Sequence, residues 1–420
     1  MIWIWDLLLI AVTVSLDRRI SGRRYSPLSV FAVSWLGPLA LRHLDLVDYE
    51  PLNLAAGLMI YGGFLCFALG YTLVLAAAVK SGGPCEESSL VGRLDPRVLT
   101  VVTMIVTIAG AAVTAYQVVS VIAAYGLIGF ILNPLEVRED FMLSGWGAVY
   151  QINLLLPSLL VLRHRSLGGR PDRWTVLMGI VVVVALLLAD QKQALVKAFV
   201  MAAVVATLFE TSVKLRTLAS IALVLLLFFV GYARITSPYY EGDHRFYVRD
   251  GHIHLPQVLA PLGNPYHYLT SGYGNLQIYV DDLDEHLGGK DSTRPFRYIW
   301  QRLQGSRDIE SHHGRFYYGP LFGNTHTYLR QFFADGGVPA ALLLSAVLGL
   351  FCAWIYVEIV WGGNVWLAPL YGVIGWCLFI SFFSNHWVYF GTWLLFALAL
   401  LVGGGSQVVL LARSRHAGPA

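Results

Sequence analysis

The sequence predicts an all-α polytopic membrane protein of about eleven transmembrane helices, with one large extracytoplasmic loop between the eighth and ninth. Three observations predict it. The 420 residues are 56% hydrophobic and only 13% charged, with a mean hydropathy of +0.61, whereas a soluble domain carries roughly 25% charged residues. Apolar runs near the ~20 residues needed to span a bilayer recur along the chain, without the short alternating segments of a membrane barrel. Basic residues alternate between successive connecting loops, as the positive-inside rule requires.

The first stretch, MIWIWDLLLIAVTVSLDRRISGRR, reads as a retained helix. A secretory signal places its basic residues before the apolar run, and here they follow it. The eleven expected spans are 2–16, 28–44, 53–79, 98–124, 146–162, 175–189, 194–209, 217–235, 338–358, 366–383 and 388–411. Alternate loops carry Arg18, Arg19, Arg23 and Arg24, then Lys80, Arg93 and Arg97, then Arg163, Arg165, Arg170 and Arg173, then Lys214 and Arg216, and finally Arg413 and Arg415. The intervening short loops hold mainly Arg42, Arg138 and Lys192. The expected orientation therefore has the N-terminus outside and the C-terminus cytoplasmic. Three regions follow: 1–235 with helices 1–8, 236–337 as an extracytoplasmic loop or cap, and 338–420 with helices 9–11 and the tail. Cys66, Cys352 and Cys377 lie in apolar runs and Cys85 in a cytoplasmic loop, so no disulfide framework is expected. The net charge of +3 is uninformative about partners, and no nucleic acid is expected among them.

A structureless loop of about a hundred residues is improbable, so 236–337 reads as a small folded cap. It holds eight of the twelve histidines and eighteen aromatics. From Arg234 to Arg330 there are nine arginines against the single Lys290. The planar guanidinium suits phosphate and carboxylate oxygens better than an ammonium does. Any one of these arginines is also compatible with solvated charge paired to Asp281, Asp282, Asp284 or Glu285. The tyrosines suit a sugar face, an interfacial belt or a cap core equally. His252 with His254, and His312 with His313, lack the cysteine or carboxylate spacing that would complete a metal site, so neither metal nor cofactor is expected.

A polar stretch, GNTHTYLRQFFADGG, 323–337, sits just before the ninth span. On a helix His326 and Arg330 lie four apart and share a face. Asp335-Gly336-Gly337 breaks that helix, and Pro339 sits where a new helix tolerates proline. The helix N-terminus there favours an anion, although Asp335 is also a plausible cap and Arg330 a plausible headgroup contact. Other polar groups gather on the same expected outer face: Asp190, Lys192 and Lys197 around one short turn, Arg138 between Glu136 and Glu139, and Asn385 with His386 in SNHW. Ionisable residues at span ends are costly and usually functional.

Three segments resemble the Wzy-type polysaccharide polymerases, the oligosaccharide repeat unit polymerases: NTHTYLRQFFADGGVPAALLLSAVLGL (324–350), YLTSGYGNLQIYVDD (268–282) and LLADQKQALVKAFVMAAVVATLF (187–209). Here proline follows in Asp335-Gly336-Gly337-Val338-Pro339 where the family favours glycine, and Lys192 stands where arginine is usual. The resemblance implies a GT-C-like membrane glycosyltransferase on the outer face of the cytoplasmic (inner) membrane. Its partners would be lipid-linked oligosaccharide donor and acceptor, membrane lipids and a chain-length regulator. It implies inverting, metal-independent transfer from undecaprenyl pyrophosphate. Such transfer needs cationic donors for the leaving group and a base for one sugar hydroxyl. On this reading Arg330 and Arg315 bind pyrophosphate with Lys192 or Arg138, and His326 or Asp335 is the base. Asn324, Tyr273 and Asn275 orient sugar. An O-antigen ligase has a similar outer-loop layout and is the nearest alternative. A non-enzymatic flippase or transporter of lipid-linked sugars is the other, but it would place polar residues at mid-membrane within a repeat.

Overall fold

A computed structural model describes residues 2–23, 25–132, 149–170, 172–188, 192–209, 254–255, 262–283, 285–304, 317–318, 322–323 and 325–416. The expected eighth span, 217–235, and most of 236–261 and 305–316 lie outside these residues.

Among the described residues the regular structure is helical apart from one two-residue antiparallel pair, β1 (Tyr317–Tyr318) with β2 (Phe322–Gly323). In chain order the helices are α1 (Ile2–Ser21), α2 (Pro27–Arg42), α3 (Leu54–Ser81), α4 (Glu87–Gly92), α5 (Pro96–Leu132), α6 (Leu156–Ser166), α7 (Arg173–Leu188) and α8 (Lys192–Thr207). They continue with α9 (Gly263–Asp282), α10 (Arg294–Leu303), α11 (Leu329–Val360), α12 (Ala368–Phe379) and α13 (Phe390–His416). Among the described residues four segments are long and apolar enough to cross a membrane: Leu54–Lys80, Pro96–Ile128, Leu329–Val360 and Phe390–Gln407. Shorter apolar helices cover Pro27–Arg42, Arg173–Leu188, Gln193–Thr207 and Val365–Phe379. The first expected span is helical, but α1 carries Asp6, Asp17, Arg18 and Arg19 and falls outside the four.

The surface fits the membrane-protein class. Along α1, Trp5, Leu8, Val12 and Leu16 are exposed, while Asp6 and Asp17 are buried. In a bilayer the apolar face turns outward and polar groups turn into the bundle to find partners. Asp6 accepts the Tyr61 hydroxyl at 2.9 Å and lies 2.7 Å from His43 Nδ1. Asp17 accepts the Ser26 and Ser29 hydroxyls.

The chain divides into two compact units. The first comprises Met1–Gly82, Ala222–Val357 and Cys377–Trp393. Ser26 caps α2 by accepting the Ser29 N–H, and Asn53 caps α3 by accepting the Ala56 N–H. Both satisfy donors that a helix start leaves open. The core is aromatic: Phe31 and Phe67 have ring centroids 4.3 Å apart, and Trp35 lies 4.9 Å from Tyr328 and 5.2 Å from Tyr273. Helices α3 and α11 meet backbone to backbone, since a Cβ on Gly70 would stand 2.2 Å from the Ala346 carbonyl oxygen. Small residues permit this approach between membrane helices.

Helix α9 belongs to the region 236–337, expected as a folded loop or cap. Residues 263–282 pack on α2 and α3 inside the first unit, and the Tyr273 hydroxyl donates to the Trp35 carbonyl, midway along α2, at 2.5 Å. The tenth span is shorter than expected. Helix α12 ends at Phe379, and 380–389 forms a turn whose carbonyls receive hydrogen bonds from 326 and 328.

The second unit comprises Gly83–Ile221, Glu358–Trp376 and Leu394–Ala420. Here α5, α6, α7 and α8 pack together. Asn153 donates to the Gly110 carbonyl (3.3 Å) and Thr114 Oγ1 (3.1 Å), tying its 3-10 turn to α5. Within the expected fifth span, the described residues form this turn and the start of the eleven-residue α6.

Candidate functional site

The site is built on a non-helical segment, 325–328, held between α9 and the 380–389 turn of the first unit. From α9, Asn275 Nδ2 donates to the Thr325 carbonyl at 2.6 Å, and Ser271 Oγ lies 2.5 Å from Thr325 Oγ1. From the turn, the Phe383 carbonyl receives the His326 N–H (3.2 Å) and the Ser381 carbonyl receives the Tyr328 N–H (2.8 Å). Asn385 Nδ2 donates to the Tyr328 carbonyl at 2.8 Å. With its backbone polar groups engaged, this buried segment holds its side chains in fixed positions.

His326 and Arg330 meet. Arg330 Nη1 donates to His326 Nε2 at 2.9 Å, and Gln331 Nε2 approaches the same nitrogen at 3.3 Å. His326 lies in the segment before the helix rather than on it, since α11 opens at Leu329. Arginine is a donor only, so Nε2 is the acceptor and the imidazole carries its proton on Nδ1. The guanidinium also stacks on the Tyr279 ring, 4.6 Å from its centroid. Arg330 is only 8% exposed, and its Nε has no acceptor. Among the described residues no carboxylate lies within ion-pair distance of it.

Two further groups, both missed in the sequence, complete the surroundings. The Tyr389 hydroxyl lies 2.6 Å from Ser384 Oγ, and its ring stands 4.8 Å from that of His386. Burial raises the Tyr389 hydroxyl above its ordinary range, while the Ser384 hydrogen bond and the charges of Arg330 and Arg294 draw it down. Arg294 and Arg330 thus both act electrostatically on one phenol. The only sequence signal for Arg294 was its place in an arginine-rich loop. Burial likewise raises the Tyr279 hydroxyl, opposed by the Arg330 charge beside it.

Other expected residues have different duties. Asp335, expected as a base or a helix cap, holds a turn instead. Its Oδ1 accepts the Asp291 N–H (2.9 Å) and its Oδ2 the Ser292 N–H (2.6 Å), so both oxygens are engaged by backbone. The expected break follows it, with Gly337 at φ 69° inside α11, a conformation that favours glycine. Tyr273, expected at sugar, is fully buried in the aromatic core. Asn275, also expected at sugar, is 3% exposed and holds the 325–328 segment. Lys192 opens α8 in the second unit. Arg315, Arg138, Asn324 and Asp190 lie outside the described residues.

No protein-family model, curated protein or solved structure matches this chain. The arrangement's chemistry therefore rests on its own residues. A buried guanidinium is strongly disfavoured unless an anion completes it. Arg330 has an aromatic ring on one side, an open Nε, and no carboxylate within ion-pair distance among the described residues.

Proposed function

We propose that the chain is a polysaccharide polymerase of the O-antigen, capsule or exopolysaccharide kind, joining undecaprenyl-pyrophosphate-linked repeat units at the outer face of the cytoplasmic membrane. The reading takes the eleven-span topology, with the N-terminus outside, the C-terminus cytoplasmic and the 236–337 region extracytoplasmic. The observation that carries it is the buried Arg330 guanidinium, which no described carboxylate neutralises. In this proposal a lipid pyrophosphate supplies the charge that no described carboxylate provides.

In the proposed reaction an acceptor sugar hydroxyl attacks the donor's anomeric carbon. The new C–O bond forms as the bond to pyrophosphate breaks, and the leaving oxygen takes the electron pair. Arg330 stabilises the charge that develops there, the kind of fixed donor that contributes most to such transition states. The hydroxyl proton passes to His326 Nε2, which is released when the anion takes over the Arg330 donors. Asp335 positions the turn behind the site and takes no proton.

The experiment incubates the purified protein in lipid with lipid-linked repeat unit as sole substrate. A ladder of lengthening products, lost in Arg330→Ala, is the expected outcome. A full-length ladder from Arg330→Ala sinks the assignment. Transfer that occurs only when a lipid A core or protein acceptor is added identifies a ligase instead.

A further inference from the structure

Helix α10, RPFRYIWQRL, has one wholly apolar face. Phe296, Ile299, Trp300 and Leu303 recur at helical spacing and are 55%, 42%, 63% and 77% exposed. Its other side carries Arg294 and Arg297, and the segment from Lys290 to Leu303 holds four basic residues against the single acidic Asp291. An apolar face left open to water is unfavourable, so something apolar covers it.

Two contacts identify the cover. The Phe296 ring lies 5.0 Å from that of Trp393, and the Tyr298 ring 4.8 Å from that of Phe390. Phe390 and Trp393 form the first turn of α13, whose stretch from Phe390 to Gln407 is apolar and long enough to cross a bilayer. Trp393 is itself 38% exposed. Helix α10 thus contacts the first turn of α13, and its apolar face stays exposed beside that contact. Its basic residues suit the negative phosphates of a membrane surface.

We infer that α10 lies in the plane of the membrane surface, with Phe296, Ile299, Trp300 and Leu303 sunk at the headgroup–acyl boundary and Arg294 and Arg297 at the lipid phosphates. An amphipathic helix with aromatic and aliphatic residues on one face and arginine on the other is suited to that position. Tryptophan favours the same layer. The inference requires only a membrane protein and stands whatever reaction Arg330 serves.

The test reconstitutes the full-length protein in bilayers of phosphatidylethanolamine and phosphatidylglycerol with brominated acyl chains. The difference in emission between the wild type and Trp300→Phe isolates Trp300, and the conservative change keeps the face apolar. Trp300 emission is expected to lose most of its intensity to the bromines and to resist aqueous acrylamide. Quenching by acrylamide with no response to bromine overturns the inference by placing the face in water. Protection from both quenchers also overturns it, because a second copy or another protein then covers the face. Lysine at Ile299 and Leu303 together is expected to blue-shift Trp300 less, as the helix rises toward water. An unchanged spectrum in that variant, with native helix content, counts against burial in lipid.

Discussion

Arg163 and Arg330 are both buried, at 3% and 8% exposure, yet they meet burial in opposite ways. In the second unit Arg163 grips Asp172 with both terminal nitrogens and donates Nε to Thr100 Oγ1 at 3.2 Å. That grip holds the Asp172 carboxyl below its ordinary range. In the first unit Arg330 has an imidazole, an aromatic face and an open Nε, and no described carboxylate. The same side chain is paired to a carboxylate in one place and, among the described residues, to none in the other. Burial alone does not separate the two arginines. The state of the counter-charge does.

The comparison can be broken most directly at Arg330. Arg330→Met keeps the volume and removes the charge. Transfer is expected to fall about 100-fold or more, the scale for losing one donor to a developing anion. Its unfolding free energy is expected to hold or rise, because an uncompensated buried charge is removed. A variant that unfolds much more easily while still extending chains makes Arg330 a brace like Arg163. The reverse pattern is expected of Arg163→Ala, which loses about 1–3 kcal/mol of stability with its charged hydrogen bonds and keeps normal transfer after reconstitution. Denaturant unfolding followed by circular dichroism reads both.

A smaller effect is expected at Asp335. Asparagine there retains one acceptor and turns an amide toward the other backbone N–H, a local cost of about 1 kcal/mol. Hydrogen exchange at 291–292 should speed up without global unfolding, and unchanged protection would detach Asp335 from that turn. The smallest expected effect is on acid sensitivity. A carboxyl whose folded-state value is depressed adds stability that is present above its unfolded value and lost as pH falls through the folded one. The wild type should therefore lose the Asp172 contribution on acidification below the ordinary carboxylate range, and Arg163→Ala should lack that component. Equal acid slopes in the two proteins would show the ion pair to be inert.

The apolar helices were legible in composition, because long runs such as 54–80 and 340–357 leave no other structure at membrane depth. Helix α9 was not legible. It packs through tyrosines, small residues and amides, so neither hydropathy nor an aliphatic stripe marks it as interior. For the same reason Tyr273 and Asn275 read as sugar contacts when they are a core ring and a segment clamp. Residue type showed their polarity but not their depth. His326 and Arg330 were legible as a pair from four-residue spacing, even though the helix begins only at Leu329. That no described carboxylate pairs with Arg330 could not be read at all. It depends on which chains pass nearby, and that is a property of the assembled unit.

The clamp at Asp335 has a mechanical consequence. Besides the two carboxylate bonds, the Leu287 N–H reaches the Ala334 carbonyl at 2.7 Å and the Gly288 N–H reaches the Asp335 carbonyl at 3.0 Å. Four hydrogen bonds thus rivet the base of α10 to the stretch just one helical turn beyond Arg330, and the Gly336-Gly337 break follows at once. The turn before α10 and the stretch that follows Arg330 are therefore joined to each other before the glycine break, so a change in one is felt at the other.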